Sequence, residues 1–458
     1  MKLFNHQNYA LDETEPYNRT AYYMDMGLGK TFVGAEKMRQ LGTRINLIVC
    51  QKSKVQDWFE HMVVNYAMNH RWIIYDLTKK NDLEMFVNAT TSIQSHSTDW
   101  DNQTICGVIN YDLLYRRSYF THMTNFTLML DESSIIQNET SKRAKFVLKM
   151  KPDNVILLSG TPTAGKYEKL WSQIHLLGWN ISKQLFYKQY VDIEYIHAGK
   201  SGFKYPVIHG YKNVDRLKRK LAEYGAIFMT TDEAFELPQQ IEIDVKVQVS
   251  KEYKKFMKTS YLMFDARNYC EVKREPENDF WGKENTSQWI ELIGNTVLTK
   301  RMYARQLCTM YSKEKLTRFR ELLESTEDRL IVFYNFNEEL NKLKKIALEY
   351  TDHISIVNGE TRDLKAYERH NDAITFVQYQ AGAMGLNLQK ANKVIYFSPT
   401  DKSELFEQSK KRIHRIGQEK TCFYYYMVCP DSVETSIYEA LKMRKDYTDE
   451  LFKKEFST

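Results

Sequence analysis

The stretch Tyr22-Tyr-Met-Asp25-Met-Gly27-Leu28-Gly29-Lys30-Thr31 decides the fold of the first half of this chain. The run Tyr22–Met26 reads as a strand, and two glycines then interrupt it. Apolar residues recur at helical spacing from Thr31 to Leu41. A strand, a glycine turn and a helix make the opening step of a parallel α/β sheet. Glycines let backbone N–H groups approach phosphate oxygens, and a helix N-terminus favours negative charge. The pattern assigns Gly27, Leu28 and Gly29 to the phosphate cradle, Lys30 to the β- and γ-phosphates, and Thr31 to Mg²⁺. Met24, six residues before Lys30, stands where the usual phosphate loop has its first glycine.

The same rhythm continues outward from this turn. Asn46–Cys50 reads as a strand and Val55–Val64 as a helix. Ile105–Asn110, Phe126–Leu130 and Val155–Leu158 read as strands. Polar motifs sit at their carboxyl ends, where open α/β sheets bind ligands. Asp131-Glu132 follows one strand. Asp131 fits a Mg²⁺-binding carboxylate, and Glu132 fits a base that orients water. Ser159-Gly160-Thr161-Pro162 follows the next. Gln7 offers a two-faced amide suited to an adenine edge.

Residues 180–320 break the rhythm and read as a mostly helical bridge with one alternating strand, Gln240–Val249. Strands resume at Leu330–Tyr334, Ile354–Val357, Ala373–Gln378, Lys393–Phe397 and Phe423–Val428. The expected organisation is a first lobe over 1–179, a bridge over 180–320 and a second lobe over 321–458. The second lobe carries Gln380-Ala-Gly382-Ala-Met-Gly385-Leu-Asn387-Leu388, whose small residues admit a close ligand. It also carries Gln408-Ser-Lys-Lys-Arg412-Ile-His414-Arg415-Ile-Gly-Gln418. Arginines three apart share one face of a helical turn, and their planar forks suit phosphate oxygens. A phosphate cradle in one half and an arginine pair in the other describe an ATPase.

Composition sets the outer bounds. A chain of 458 residues suits two or three domains. A net charge of +6 is compatible with a polyanionic partner. The six cysteines are scattered with no C-x-x-C, which predicts a reducing compartment and no cysteine metal site. No run approaches a membrane span, and the expected location is cytoplasmic.

In the order of these motifs the chain resembles the SWI/SNF-like DNA translocases of helicase superfamily two, over nearly its whole length. Asp25–Thr31 resembles that family's D-E-M-G-L-G-K-T, and Leu47–Trp58 its next motif. Asn110–Leu114, Leu130–Asn138 with Ser141–Lys145, and Leu157–Pro162 resemble the following three. Gln380–Leu388 and Gln408–Gln418 resemble the last two, and His414-Arg415-Ile-Gly-Gln418 is the most distinctive. Ser134 stands where the family carries a histidine. Phe228-Met-Thr-Thr-Asp-Glu stands where it carries a basic segment.

The resemblance implies two RecA-like parallel-sheet lobes in tandem, with ATP and Mg²⁺ as cofactors. It implies that Gln7 lies near adenine, that Lys30 and Thr31 bind phosphate and metal, and that Asp131 and Glu132 act as metal partner and base. Arg412 and Arg415 would be the arginine fingers, and Gly385 and Gln408 would lie at the nucleotide. Lys52, Ser53, Ser159, Thr161, Gly382 and Asn387 would touch DNA or couple it to ATP. The expected function is a monomeric, ATP-driven motor that grips duplex DNA by its phosphates without sequence specificity, in replication, recombination or repair, of the compact phage or bacterial type (host cytoplasm if phage-encoded). The alternatives are a strand-separating helicase and, in another class, an ATP-binding DNA scaffold without turnover.

Overall fold

The computed structural model describes residues 2–68, 71–95, 103–198, 203–265, 289–382 and 386–452. By internal contacts the chain divides into two compact units. One comprises Met1–Glu236 with Arg444–Thr458, and the other Leu237–Met443.

The first unit contains β1 (Arg19–Met24), β2 (Ile45–Cys50), β3 (Trp72–Asp76), β4 (Thr104–Asn110), β5 (Phe126–Asp131), β6 (Asn154–Ser159), β7 (Val191–Ala198), β8 (Phe203–Tyr211) and β9 (Ala226–Met229). Seven of these form one sheet in the order β3-β4-β2-β5-β6-β1-β9. Every pairing in it is parallel. The central strands are apolar on both faces because helices cover both. Successive residues therefore serve different cores. Ala21 and Tyr23 join one cluster with Leu47, Val49, Leu128 and Leu130. Tyr22 and Met24 join the other with Ile48, Cys50 and Met129. Helices α1 (Asn5–Glu13), α2 (Lys30–Gln40) and α3 (Val55–Met62) cover this second face. Gly34 lets α2 lie close to the sheet, since a Cβ there would stand 2.8 Å from Met129 Sδ and 2.9 Å from Leu158 Cδ1.

The second unit contains β10 (Gln240–Lys246), β11 (Tyr261–Asp265), β12 (Trp289–Ile293), β13 (Leu330–Tyr334), β14 (Ile354–Val357), β15 (Arg362–Asp363), β16 (Ile374–Gln378), β17 (Lys393–Tyr396) and β18 (Cys422–Val428). Its sheet runs β10-β18-β17-β13-β16-β14-β15. All its pairings are parallel except β14 with β15. A fully buried ion pair, Lys315 with Glu434 at 2.7 Å, ties helix Lys313–Glu324 to helix Val433–Phe452.

The interval 180–320 is shared between the units. β9 extends the first sheet beside β1, and β10 opens the second sheet beside β18. Among the described residues the interval also holds two antiparallel strand pairs, β7–β8 and β11–β12. The alternation in Val191-Asp-Ile-Glu-Tyr-Ile suits a strand with one half-buried face.

Candidate functional site

The three chemistry-bearing segments of the first unit follow β5, β6 and β1, which are neighbours in a parallel sheet. Their carboxyl ends are therefore side by side, although the glycine turn lies about 100 residues or more before the other two segments in sequence. The glycine turn after β1 holds Gly27 at φ 90° and Gly29 at φ 76°, the left-handed region that glycine enters without strain. Gly29 precedes α2, which begins with no side-chain cap. Lys30 Nζ donates to the carbonyls of Met24 at 2.8 Å and Asp25 at 3.1 Å. A Cβ on Gly160 would stand 3.4 Å from that ammonium, so the Ser-Gly-Thr-Pro turn closes directly on Lys30. Thr31 is the second residue of α2 and half-buried.

Gln7 lies buried against the same turn. Its Nε2 donates to Leu28 O at 3.1 Å, and its Oε1 accepts from Phe4 N at 3.0 Å. His6 Nε2 also reaches Leu28 O, at 2.9 Å, which fixes the proton on that nitrogen. A Cβ on Gly29 would meet Gln7 Nε2 at 2.2 Å.

Asp131 ends β5 half-buried, with both carboxylate oxygens hydrogen-bonded. Trp58 Nε1 donates to Oδ2 at 2.8 Å, and the backbone N–H of Glu132 donates to Oδ1 at 3.1 Å. Burial pushes the Asp131 pKa up, against the Trp58 hydrogen bond and the positive charge of Lys30. Glu132 adopts φ 49°, ψ 59°, a left-handed conformation uncommon outside glycine. Tyr111 OH donates to Asp131 O at 2.9 Å on one side of this residue. On the other side Ser133 Oγ donates to Gln173 Oε1 at 2.7 Å. Ser159 Oγ accepts from Thr161 N at 3.1 Å and shapes the neighbouring turn, and Thr161 Oγ1 is buried without a hydrogen-bond partner. Lys52 and Ser53 lie in a short 3₁₀ turn after β2.

In the second unit, helix Ser403–Lys410 ends before the arginines. Arg412 and Arg415 thus sit in successive turns, not on one face of a continuing helix. The chain is diverted because Arg412 N bonds back to Ser409 O, Arg412 O accepts from Leu388 N, and Gly417 takes φ 91°. Arg412 is 1% exposed, with Nη1 3.4 Å from Leu386 O. Arg415 is half-buried and reaches both Leu386 O and Asn387 Oδ1. Burial lowers the Arg415 pKa. Gln408 is buried, with Nε2 3.4 Å from Glu404 Oε1 and its own Oε1 without a partner. His414 accepts at Nδ1 from Gln240 Nε2 at 3.1 Å and donates from Nε2 to Pro238 O at 2.8 Å. Gln418 Nε2 reaches the carbonyls of Gln389, Ala391 and Ile413. Gly382 ends the short helix after β16. Gly385 lies outside the described residues. A polar cavity of about 190 Å³, lined by Asn335, Gln378, Gln380, Thr400 and Lys402, opens at the carboxyl ends of β13, β16 and β17.

Trp58 and Gln173 carry bonds that sequence reasoning did not assign. Trp58 lies at the end of a recognised stretch, yet nothing in the pattern says its indole faces Asp131. Gln173 is a buried polar residue in the short helix Trp171–Leu176.

A phosphate-type glycine turn, an acidic strand end and parallel α/β sheets define a RecA-like nucleoside-triphosphatase class. Residues 23–312 match the SNF2-related domain, and residues 314–417 match the helicase conserved C-terminal domain. The chain belongs to the SNF2-related family, whose members are ATP-dependent. It is 23% identical to the DNA repair and recombination protein RAD26 of Saccharomyces cerevisiae, over 90% of this chain and 43% of that one. It is also 23% identical to the putative ATP-dependent helicase/translocase YwqA of Bacillus subtilis, over 72% of this chain and 36% of that one. The chain thus spans less than half the length of these relatives. The Sulfolobus solfataricus SWI2/SNF2 ATPase core in complex with dsDNA aligns over 98% of this chain and 92% of that one, at 19% identity and a TM-score of 0.42. Among the described residues no helix is long and apolar enough to cross a membrane.

Proposed function

We propose that this chain is a DNA-dependent ATP hydrolase that moves along or remodels duplex DNA. The observation that carries the reading is the adjacency of β5, β6 and β1, which puts Asp131-Glu132, the Ser-Gly-Thr-Pro turn and Lys30 at one sheet edge. In this reading Gln7 lies near the adenine, and Gly27, Leu28 and Gly29 cradle the phosphates. Lys30 holds the β- and γ-phosphates, and Glu132 orients the attacking water. Thr31 and Asp131 fit Mg²⁺: one offers a hydroxyl at an uncapped helix start, the other a half-buried carboxylate at a strand end. That ion would neutralise charge developing on the phosphates.

Of the arginine pair, Arg415 is the finger assigned to the γ-phosphate, while buried Arg412 braces its turn at Leu386, and Gln408 and Gly385 are the residues assigned beside the nucleotide. An arginine finger is worth about 10³–10⁵ in rate among GTPases, so turnover is low until DNA promotes the active arrangement. DNA is held mainly through its phosphates, hence without sequence preference and with strong salt dependence. Lys52, Ser53, Thr161, Asn387 and the polar cavity beside Gln380 are the proposed contacts. The protein works as a cytoplasmic monomer. Its two lobes are the two compact units, with the earlier 180–320 bridge divided between them.

Steady-state ATP hydrolysis with no nucleic acid, duplex DNA, single-stranded DNA and RNA tests the reading. Duplex DNA should stimulate turnover strongly, and Lys30→Ala and Glu132→Gln should abolish it. Hydrolysis that persists in both variants would remove the site assignment, and wild-type turnover indifferent to DNA would remove the motor. Release of one strand from a forked duplex would favour the strand-separating alternative.

A further inference from the structure

Gln173 belongs to none of the motifs named above, yet it joins three strand ends of the first unit. Its side chain is fully buried. Its Oε1 accepts from Ser133 Oγ at 2.7 Å and from Tyr23 OH at 3.2 Å. Its Nε2 donates to Pro162 O at 2.8 Å. Ser133 directly follows Glu132, whose left-handed backbone must be held by its surroundings. Pro162 closes the turn whose Gly160 packs on Lys30. Tyr23 lies in β1, just before the glycine turn. One amide is thus bonded at once to the segment bearing the candidate base, the turn touching the phosphate lysine and the strand leading to the phosphate loop.

We infer that Gln173 is a positioning residue that couples the Ser-Gly-Thr-Pro turn to Glu132, so that displacement of the turn resets the base. The inference rests on the ATP-hydrolase reading and adds to it the route by which one strand end informs the next. An amide suits this post because it accepts on one side and donates on the other at fixed separation. A hydrocarbon of equal length fills the space and makes neither bond. Buried networks of this kind move as a unit, since each unmade bond strands a polar group. Positioning errors of about 1 Å can cost about 10²-fold in rate, so loss of the bridge should register in turnover and not in nucleotide affinity.

The experiment compares Gln173→Met, which keeps the volume, and Ser133→Ala, which removes one arm with little risk to folding. ATP hydrolysis is measured with and without duplex DNA, beside ATP affinity and the thermal midpoint. Each variant should lower the DNA-stimulated kcat about tenfold or more and reduce the ratio of stimulated to basal turnover, with KM for ATP within about twofold of wild type. The double variant should be no worse than the poorer single one, because both changes break the same bridge. An unchanged ratio in folded Gln173→Met, or in Ser133→Ala should the former not fold, would overturn the inference. So would losses that simply multiply in the double variant. A wild-type chain without DNA-stimulated hydrolysis would instead sink the function on which the inference rests, an outcome visible before any variant is made.

Discussion

Replacing Gly29 by alanine separates two effects that usually travel together, and Gly42 provides the control. Both glycines have positive φ, 76° and 66°. A left-handed backbone costs an L-residue about 1–2 kcal/mol, and this applies to both sites. A Cβ on Gly42 meets nothing within 4 Å, so Gly42→Ala should cost only that amount. A Cβ on Gly29 would stand 2.2 Å from Gln7 Nε2. The Gln7 amide must swing away, which breaks its bonds to Leu28 O and Phe4 N. Leaving buried polar groups unmatched adds about 1–3 kcal/mol. Gly29→Ala should therefore destabilise by about 2–5 kcal/mol, summing the two terms.

Urea titrations of both variants give the comparison, and ATP affinity gives the functional arm. Gly29→Ala should weaken ATP binding as well as stability, because the moved amide and the strained turn both belong to the proposed nucleotide site. Gly42→Ala should leave affinity alone. In a Gln7→Ala background, Gly29→Ala should cost only the conformational part. Equal destabilisation by Gly29→Ala and Gly42→Ala, with ATP affinity untouched in both, would refute the packing argument.

Two further outcomes follow from buried charges. Trp58→Phe removes the indole hydrogen bond that opposes the burial-driven rise of the Asp131 pKa. The carboxylate then takes up a proton at higher pH, so the acid limb of the kcat/KM profile should move upward in pH. An unmoved limb would mean Asp131 is not the group that titrates there. Lys315→Met leaves Glu434 buried without its cation, at a cost of about 3–5 kcal/mol. Burial already pushes the Glu434 pKa up. The thermal midpoint should therefore drop most at alkaline pH and least at acid pH, where Glu434 takes up a proton, and a deficit independent of pH would contradict this.

Much of the sheet architecture was readable because the central strands are short, apolar and each ended by a turn or polar motif. Leu330–Tyr334 and Ile354–Val357 fall where the sequence places them. The antiparallel pairs β7–β8 and β11–β12 were not anticipated. Their strands bury at most one face, and Tyr- and Lys-rich alternation competes there with helical spacing. The division of residues 180–320 between two units was hidden for another reason. β9 and β10 are edge strands whose partners, β1 and β18, lie about 200 residues away in opposite directions along the chain. Local periodicity carries no information about such pairings.

The arginine motif shows how a distinctive sequence and an accessible side chain can part company. Spacing alone makes Arg412 and Arg415 equivalent, one helical turn apart. The turns after Lys410 make them different. Arg412 is sealed inside the second unit, while Arg415 stays half-buried beside Asn387. His414 and Gln418 hold backbone carbonyls of Pro238, Gln389, Ala391 and Ile413. Two of the motif's polar side chains therefore build the turn, and a third, Arg412, braces it from within at Leu386. In the proposed ATP hydrolase, Arg415 is the arginine of the pair with surface left to offer a phosphate. Its pKa is lowered by burial, but a guanidinium keeps its proton at any working pH. Partial desolvation makes such a charge act more strongly on a phosphate than it would in open water.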